Sequence, residues 1–184
     1  MVDLLELQKS FILAHLGKGD VAVDFTMGNG GDTAFLSQTV GEGGRVHAFD
    51  IQEMALESTA AHLAALGCPD NVELHLASHH RVLEFVHEPI KAGMFNLGYL
   101  PRSGKKEVTT MRETTLPAVQ AAVSLLAPDG ILLVAIYPGH EEGRLEGEML
   151  EEYFATLDRR RICVSCFRIV NSPTSPYFYI VETR

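Results

Sequence analysis

Three short stretches of the chain carry side chains that chemistry could use. In Val23-Asp24-Phe25-Thr26-Met27-Gly28-Asn29-Gly30-Gly31-Asp32-Thr33, a carboxylate ends an apolar run and a glycine-rich loop follows it. In Arg45-Val46-His47-Ala48-Phe49-Asp50, a second carboxylate ends a second apolar run. In Met94-Phe95-Asn96-Leu97-Gly98-Tyr99-Leu100-Pro101, an amide and a phenol stand at the mouth of a third.

Gly28 and Gly30 let backbone approach a ligand, and the helix expected after them offers unpaired N–H groups. This is not a good dinucleotide fingerprint. The third glycine position falls on Thr33, the strand does not run straight into Gly28, and Asp24 would repel a pyrophosphate. A carboxylate at position 24 suits a cation, and Asp50 is placed to accept hydrogen bonds from ribose hydroxyls. S-adenosylmethionine offers that combination: a ribose, an ammonium, a sulfonium and no phosphate. Each residue also has a plainer reading. Asp24 can be a turn or helix cap, Asp50 the N-cap of a helix from Glu53, Asn96 a turn former and Tyr99 a core aromatic.

Apolar periodicity supplies the elements that must hold these residues. Helices are expected over residues 3–16, Asp32 to Val40, Glu53 to Leu66, Arg81 to His87 and Thr114 to Ala127, with Pro117 in a first turn. The stripe Leu145, Met149, Tyr153, Phe154 and Leu157 marks one more. Strands are expected at Val21 to Phe25, Arg45 to Asp50, Asn71 to Leu76, Ala92 to Asn96, Gly130 to Tyr137, Arg161 to Val170 and Tyr177 to Glu182. Five βα units and a closing strand pair imply an α/β fold: a mostly parallel sheet with an antiparallel C-terminal strand and helices on both faces. Ligands bind such sheets at the carboxyl ends of the strands, where Asp24, Asp50, Ser78 and Asn96 fall.

The 184 residues fit one domain, residues 1–184. No apolar run approaches the roughly 20 residues of a membrane span, and no secretory signal is evident. Three cysteines point to a reducing compartment, the cytoplasm, rather than to a disulfide framework. The net charge of −9 argues against a broadly basic nucleic-acid face and leaves local patches: Arg102, Lys105, Lys106 and Arg112, and the triplet Arg159-Arg160-Arg161.

The motifs VDFTMGNGGDTAFL, HAFDIQ, MFNLGYLP, TTMRETT and YPGH resemble, in order and spacing, a family of small bacterial class I methyltransferases. Long labelled rRNA methylases, its members methylate the 5-aminomethyl group of 2-thiouridine at the tRNA wobble position. The resemblance runs from about Leu16 to the C-terminus and implies a seven-stranded Rossmann-like sheet that binds S-adenosylmethionine. It implies that Asp24, Gly28, Asn29, Gly30 and Thr33, with Thr26 and Asp32 in the same loop, contact the methionine side. Asp50 and Gln52 would hold ribose and adenine, and Ser78 and His79 would flank the adenine. Asn96-Leu97-Gly98-Tyr99 has the shape of the Asn-Pro-Pro-Tyr motif of amino-methyltransferases. There the amide oxygen accepts a hydrogen bond from the target nitrogen and the ring stacks on the base. Asn96 and Tyr99 are thus the catalytic candidates, with Asn96 also at the cofactor; Tyr99, Arg102, Lys105, Lys106, Arg112 and His140 are the substrate contacts. Phe25, Met27, Gly31 and the loop Arg102-Ser103-Gly104-Lys105-Lys106 depart from the family pattern.

The resemblance makes RNA the partner, a tRNA anticodon loop first and ribosomal RNA or another amine second, with a homodimer as a way to enlarge the footprint. A nicotinamide-dependent dehydrogenase or a silent nucleotide-binding module is the reading from outside that class. An alkylamine has a pKa near 10.4, so it must lose a proton before it attacks; His140, Asp24 and Tyr99 are the candidate bases. No metal site is expected. Cys163 and Cys166 point to opposite faces of a strand, and His75, His79, His80 and His87 are spread over a strand, a loop and a helix.

Overall fold

The computed structural model describes residues 3–97 and 111–184. Tyr99, Arg102, Lys105 and Lys106 lie outside the described residues. The elements run α1 (Leu4–Leu13), β1 (Val21–Asp24), α2 (Gly31–Val40), β2 (Arg45–Asp50), α3 (Glu53–Ala65), β3 (Val72–Leu76), a 3-10 turn (His79–Glu84), β4 (Ile90–Leu97), α4 (Arg112–Leu125), β5 (Leu126–Ile136), α5 (Glu141–Ala155), β6 (Ile162–Phe167) and β7 (Tyr177–Thr183).

The seven strands form one sheet in the order β3-β2-β1-β4-β5-β7-β6. The first five pair in parallel and β7 is antiparallel to both neighbours. Each βα unit returns its chain over a face of the sheet, so helices cover both sides. Among the described residues no helix is long and apolar enough to cross a membrane.

The period of two along each strand divides the core. Val23, Phe25, Phe95, Leu97, Leu132 and Val134 pack on one face with the 3-10 turn, α4 and α5. Ala22, Met94, Ala92, Leu133 and Ala135 pack on the other with Ile12 and Leu16 near α1 and Leu36 and Val40 of α2. Burying these side chains supplies about 25 cal/mol per Å² of apolar area. Phe25 and Phe95 stack at 4.1 Å between centroids, their planes 6° apart. Asp24 and Asn96 share parity with Ala22 and Met94, so both fall on the α2 face.

Several element expectations need correction. Pro117 is the sixth residue of α4, beyond the first turn, and the helix continues because Thr115, Ala118, Val119 and Ala122 are buried around it. β5 begins at Leu126 rather than Gly130, with a register shift opposite Ile90 and Ala92 and a positive φ of 55° at Asp129. In α5 the most buried positions are Gly143, Glu146, Gly147, Leu150 and Phe154, whereas Leu145, Met149, Tyr153 and Leu157 are only partly buried. The helix face is rotated because Glu146, 0% exposed, accepts a hydrogen bond of 2.6 Å from the Thr115 hydroxyl. Leu66, expected on the buried face of α3, is 49% exposed beyond the helix end.

Candidate active site

The glycine-rich loop between β1 and α2 is held by its neighbours. Met27 N–H donates to the Phe49 carbonyl (3.0 Å), Gly28 N–H donates to Asp50 Oδ2 (3.2 Å), and Thr59 Oγ1 donates to the Gly28 carbonyl (3.2 Å). The Asn29 side-chain oxygen accepts from Ser58 Oγ at 3.3 Å. Gly30 has a φ of 83° and forms the N-terminus of α2. A Cβ there would lie 2.9 Å from Thr59 Cα. The glycine is therefore required by its backbone conformation and by packing on α3, beyond the ligand approach that the sequence suggests.

Asp24 is 0% exposed. Its Oδ2 accepts from Thr33 Oγ1 at 2.6 Å and its Oδ1 from Thr26 N–H at 3.1 Å. Burial pushes its carboxyl up to about 7, and the neighbouring Asp32 pushes the same way, while the two hydrogen bonds oppose them. Asp32, in the first turn of α2, is also raised by burial, against the hydrogen bond from Asn96 and the charge of Lys9 on α1. Two acids held in a poorly solvated corner favour a positive ligand, which would repay both ionisations.

Asn96, on the last turn of pleat of β4, completes that corner. Its backbone N–H donates to Thr26 Oγ1 at 2.8 Å. Its side-chain Nδ2 donates to Asp32 Oδ2 at 2.6 Å. An ionised carboxylate only accepts, so this contact fixes which end of the amide faces Asp32. The amide oxygen Oδ1 is left buried, with no hydrogen-bond partner among the described residues. An unpaired buried acceptor costs about 1–3 kcal/mol, a cost that a donor on a ligand removes.

Asp50 ends β2 beside the loop. Gly28 N–H and Gln52 N–H (3.0 Å) donate to its two oxygens, and burial raises its carboxyl against these bonds. Ile51 N–H and the Gln52 side chain also act on this carboxylate, which faces the loop as an acceptor. Ile51, Met54 and Leu76 around it are 58%, 54% and 48% exposed, an apolar surface suited to a flat ring. Gln52 serves as N-cap of α3 without a side-chain cap bond. Asp50 is thus not the α3 cap that the plainer reading offered.

Ser78 and His79 follow β3, but they part company. Ser78 Oγ contacts His80 Nδ1 at 2.8 Å on the surface. His79 turns inward, 8% exposed, against the Phe95 ring at 5.7 Å. It donates to the Phe25 carbonyl, its Nε2 is buried without a partner among the described residues, and burial lowers its pKa to about 4. It packs beside the carboxyl ends of β1 and β4, against Phe25 and Phe95.

The substrate-side expectations also separate. Arg112 is engaged: its backbone N–H and its Nε both donate to Glu142 Oε1, at 3.3 and 3.0 Å. His140 caps α5, its Nδ1 accepting from Gly143 N–H at 3.0 Å. With Nδ1 used as acceptor, the neutral ring carries its proton on Nε2. His140 is then a donor rather than a base. Asp24, with both oxygens occupied and no exposure, is equally out of reach as a base.

Sequence reasoning missed Tyr137, Lys9 and Glu6. Tyr137 follows β5, and its phenol is raised by burial and then by Asp32. The strand-end rule applied to β5 would have found it. Lys9 bonds Glu6 Oε1 at 2.8 Å and lies 5.7 Å from the Phe35 ring; the fields of Lys9 and Glu6 reach Asp32. Only the fold brings α1 to this corner.

The family model described as "Putative rRNA methylase" matches residues 46–182. An Arabidopsis thaliana protein, the chloroplastic tRNA (mnm(5)s(2)U34)-methyltransferase, is 38% identical over 177 residues, which cover 91% of this chain and 64% of that protein. The chain therefore spans just under two thirds of that relative's length. The crystal structure of a "putative rRNA-methylase" from Clostridium thermocellum matches with a TM-score of 0.95 and 37% identity, over 100% of this chain and 99% of that one. A "putative methyltransferase" from Streptococcus mutans, solved in complex with SAH, matches with a TM-score of 0.90 and 35% identity, over 100% and 99%.

Proposed function

The chain belongs to the "Putative rRNA methylase" family, whose class I methyltransferase sheet it shares, and from that premise we propose that it is an S-adenosylmethionine-dependent N-methyltransferase acting on RNA. The proposed target is the 5-aminomethyl group of 2-thiouridine at the tRNA wobble position, whose methylated form, mnm(5)s(2)U34, stands in the name of the Arabidopsis relative. The observation that carries the reading is the Asn96 amide: tied by Nδ2 to Asp32, it holds a buried acceptor that is unpaired among the described residues, at the carboxyl edge of the sheet.

The residues fit the cofactor. The Asp32 carboxyl suits its positive charge, and the enclosed Asp24 behind it adds only its field. The Asp50 carboxylate, at the end of β2, suits its ribose hydroxyls, and Ile51, Met54 and Leu76 suit its adenine. S-adenosylmethionine, when bound, supplies an electrophilic methyl carbon on sulfur. The chain's own task is to bind and aim. Asn96 Oδ1 accepts a hydrogen bond from an N–H of the target amine, which directs the nitrogen lone pair. Asp32 keeps that oxygen, rather than the NH2, facing the amine. Orientation of this kind contributes up to ~7–11 kcal/mol to a displacement reaction. The neutral amine is the nucleophile, and a nearby cationic sulfonium lowers its pKa as like charges do.

Tyr99, Arg102, Lys105 and Lys106 are proposed to contact the base and backbone of the RNA. Arg112 would first have to exchange its ion pair with Glu142. A homodimer would extend the footprint of so acidic a chain. The three free thiols support a reducing compartment, the cytoplasm.

The test is nucleoside mass spectrometry of tRNA from cells lacking the gene. Accumulation of 5-aminomethyl-2-thiouridine supports the proposal. An unaltered tRNA profile, with a methyl group missing from ribosomal RNA, shifts the substrate to the second RNA class.

A further inference from the structure

We propose that His47, Glu73 and His75 form a binding site for one divalent transition-metal ion of the zinc class. It lies at the β2–β3 edge, on the sheet face opposite that of Asp24 and Asn96. One ligand atom from each of the three lies within 4.8 Å of the other two. His47 Nδ1 and His75 Nε2 are 3.1 Å apart, and His47 Nδ1 is 3.6 Å from Glu73 Oε2. Metal–nitrogen bonds of about 2.0–2.1 Å set ligand separations of about 3.3 Å in a tetrahedral site. The observed distances bracket that value.

The parallel register brings the three together. His47 pairs with Glu73, and Phe49 pairs with His75, so both β3 side chains fall on the face of His47. His47 is 1% exposed, and the His75 ring is held between Phe49 and Phe85, at 4.6 and 4.7 Å between centroids. The two imidazole planes are only 13° apart with centroids 5.3 Å apart, so the nitrogens point at each other across one shared proton.

The surroundings choose where that proton sits. Glu88 Oε1 lies 3.6 Å from His47 Nε2, which has no hydrogen-bond partner among the described residues, and its charge favours an N–H there. That leaves Nδ1 as the lone pair, the arrangement in which a carboxylate backs a metal-binding histidine. His75 Nε2–H then donates to His47 Nδ1. An ion enters when His75 moves its proton from Nε2 to Nδ1, which frees a second lone pair with no net proton release. Arg45 contacts Glu73 through Oε1 at 3.6 Å and Glu88 through Oε1 at 3.4 Å, which leaves Glu73 Oε2 for the ion. The side chain of Glu73 is 51% exposed, so a fourth position opens to water. Two histidines and a glutamate suit zinc, cobalt, nickel or copper rather than magnesium or calcium. The ion would fasten the edge strand β3 to β2.

The experiment is calorimetric titration of metal-stripped protein with Zn2+, alongside thermal melting and the Co2+ absorption spectrum, for wild type, His75→Gln and Glu73→Gln. Both positions are partly exposed, so the variants are expected to fold, and circular dichroism checks this. Expected are one ion per chain, a raised Tm with Zn2+, a tetrahedral Co2+ spectrum without a thiolate band, and an affinity at least about tenfold lower in each variant. Glu88→Gln, which weakens the backing of His47, should lose about 10–100-fold. Binding of unchanged affinity in both His75→Gln and Glu73→Gln, or binding abolished by alkylating Cys68, Cys163 and Cys166, would overturn the proposal. So would no heat and no Tm shift in wild type.

Discussion

Asp32 and Asn96 meet at 2.6 Å, carboxylate oxygen to amide nitrogen, across the gap between the first turn of α2 and the end of β4. The contact gives the amide a direction. It turns a residue that could have been a turn former into a single oriented acceptor, with Oδ1 left for a ligand.

Removing that acceptor should uncouple binding from transfer. For Asn96→Ala, S-adenosylhomocysteine binding measured by calorimetry is expected to persist, while the single-turnover methyl-transfer rate falls at least about tenfold, ~1.4 kcal/mol. An unchanged rate would remove Asn96 from the mechanism.

Asp32→Asn tests positioning and charge together. The amide of Asn96 loses its fixed direction, so kcat is expected to fall about tenfold or more, ~1.4 kcal/mol. The lost negative charge should weaken S-adenosylmethionine, which carries the sulfonium, more than S-adenosylhomocysteine, which does not. Equal weakening of the two would show that Asp32 acts only on the fold.

The Asp24 carboxyl, pushed from 3.8 to about 7, predicts a pH dependence of stability. Between those values the native state holds a proton that the unfolded chain releases, so the unfolding free energy falls as pH rises from about 4 to about 7 and levels above it. Asp32 and Asp50, also raised by burial, slope the same way. Urea denaturation of Asp24→Asn should therefore show a shallower fall than wild type. An identical slope would mean that Asp24 is already ionised at acid pH in the native protein.

Gly30→Ala should cost about 1–3 kcal/mol, from strain at a φ of 83° and from the close approach of Thr59 Cα. Denaturant unfolding measures it. A cost near zero would show that the loop can move off α3.

The fold was legible where periodicity was unambiguous. The apolar runs 21–25, 45–50 and 92–96 are strands, and the glycine-rich loop and Asp50 lie at their carboxyl ends as expected. Side-chain roles were less legible, because type and spacing do not state direction. Asp24 read as an open carboxylate, yet Thr26 and Thr33 enclose it. His79 read as a cofactor contact from its place after β3, but its burial edge-on to Phe95 was not legible there. His140 read as a base, yet its Nδ1 is used by the α5 cap. His75 was compared with histidines near it in sequence, whereas its partner is His47, one strand across the sheet. Glu146 escaped notice because a buried acid looks like any polar position until Thr115 is seen opposite it.

The most direct measurement is in vitro methylation of tRNA carrying 5-aminomethyl-2-thiouridine, with labelled S-adenosylmethionine and nucleoside mass spectrometry, for wild type and Asn96→Ala. The account predicts one added methyl on the amine nitrogen of that nucleoside with wild type and at least about tenfold less with the variant. Label on a carbon or an oxygen, or equal label in both proteins, would contradict it.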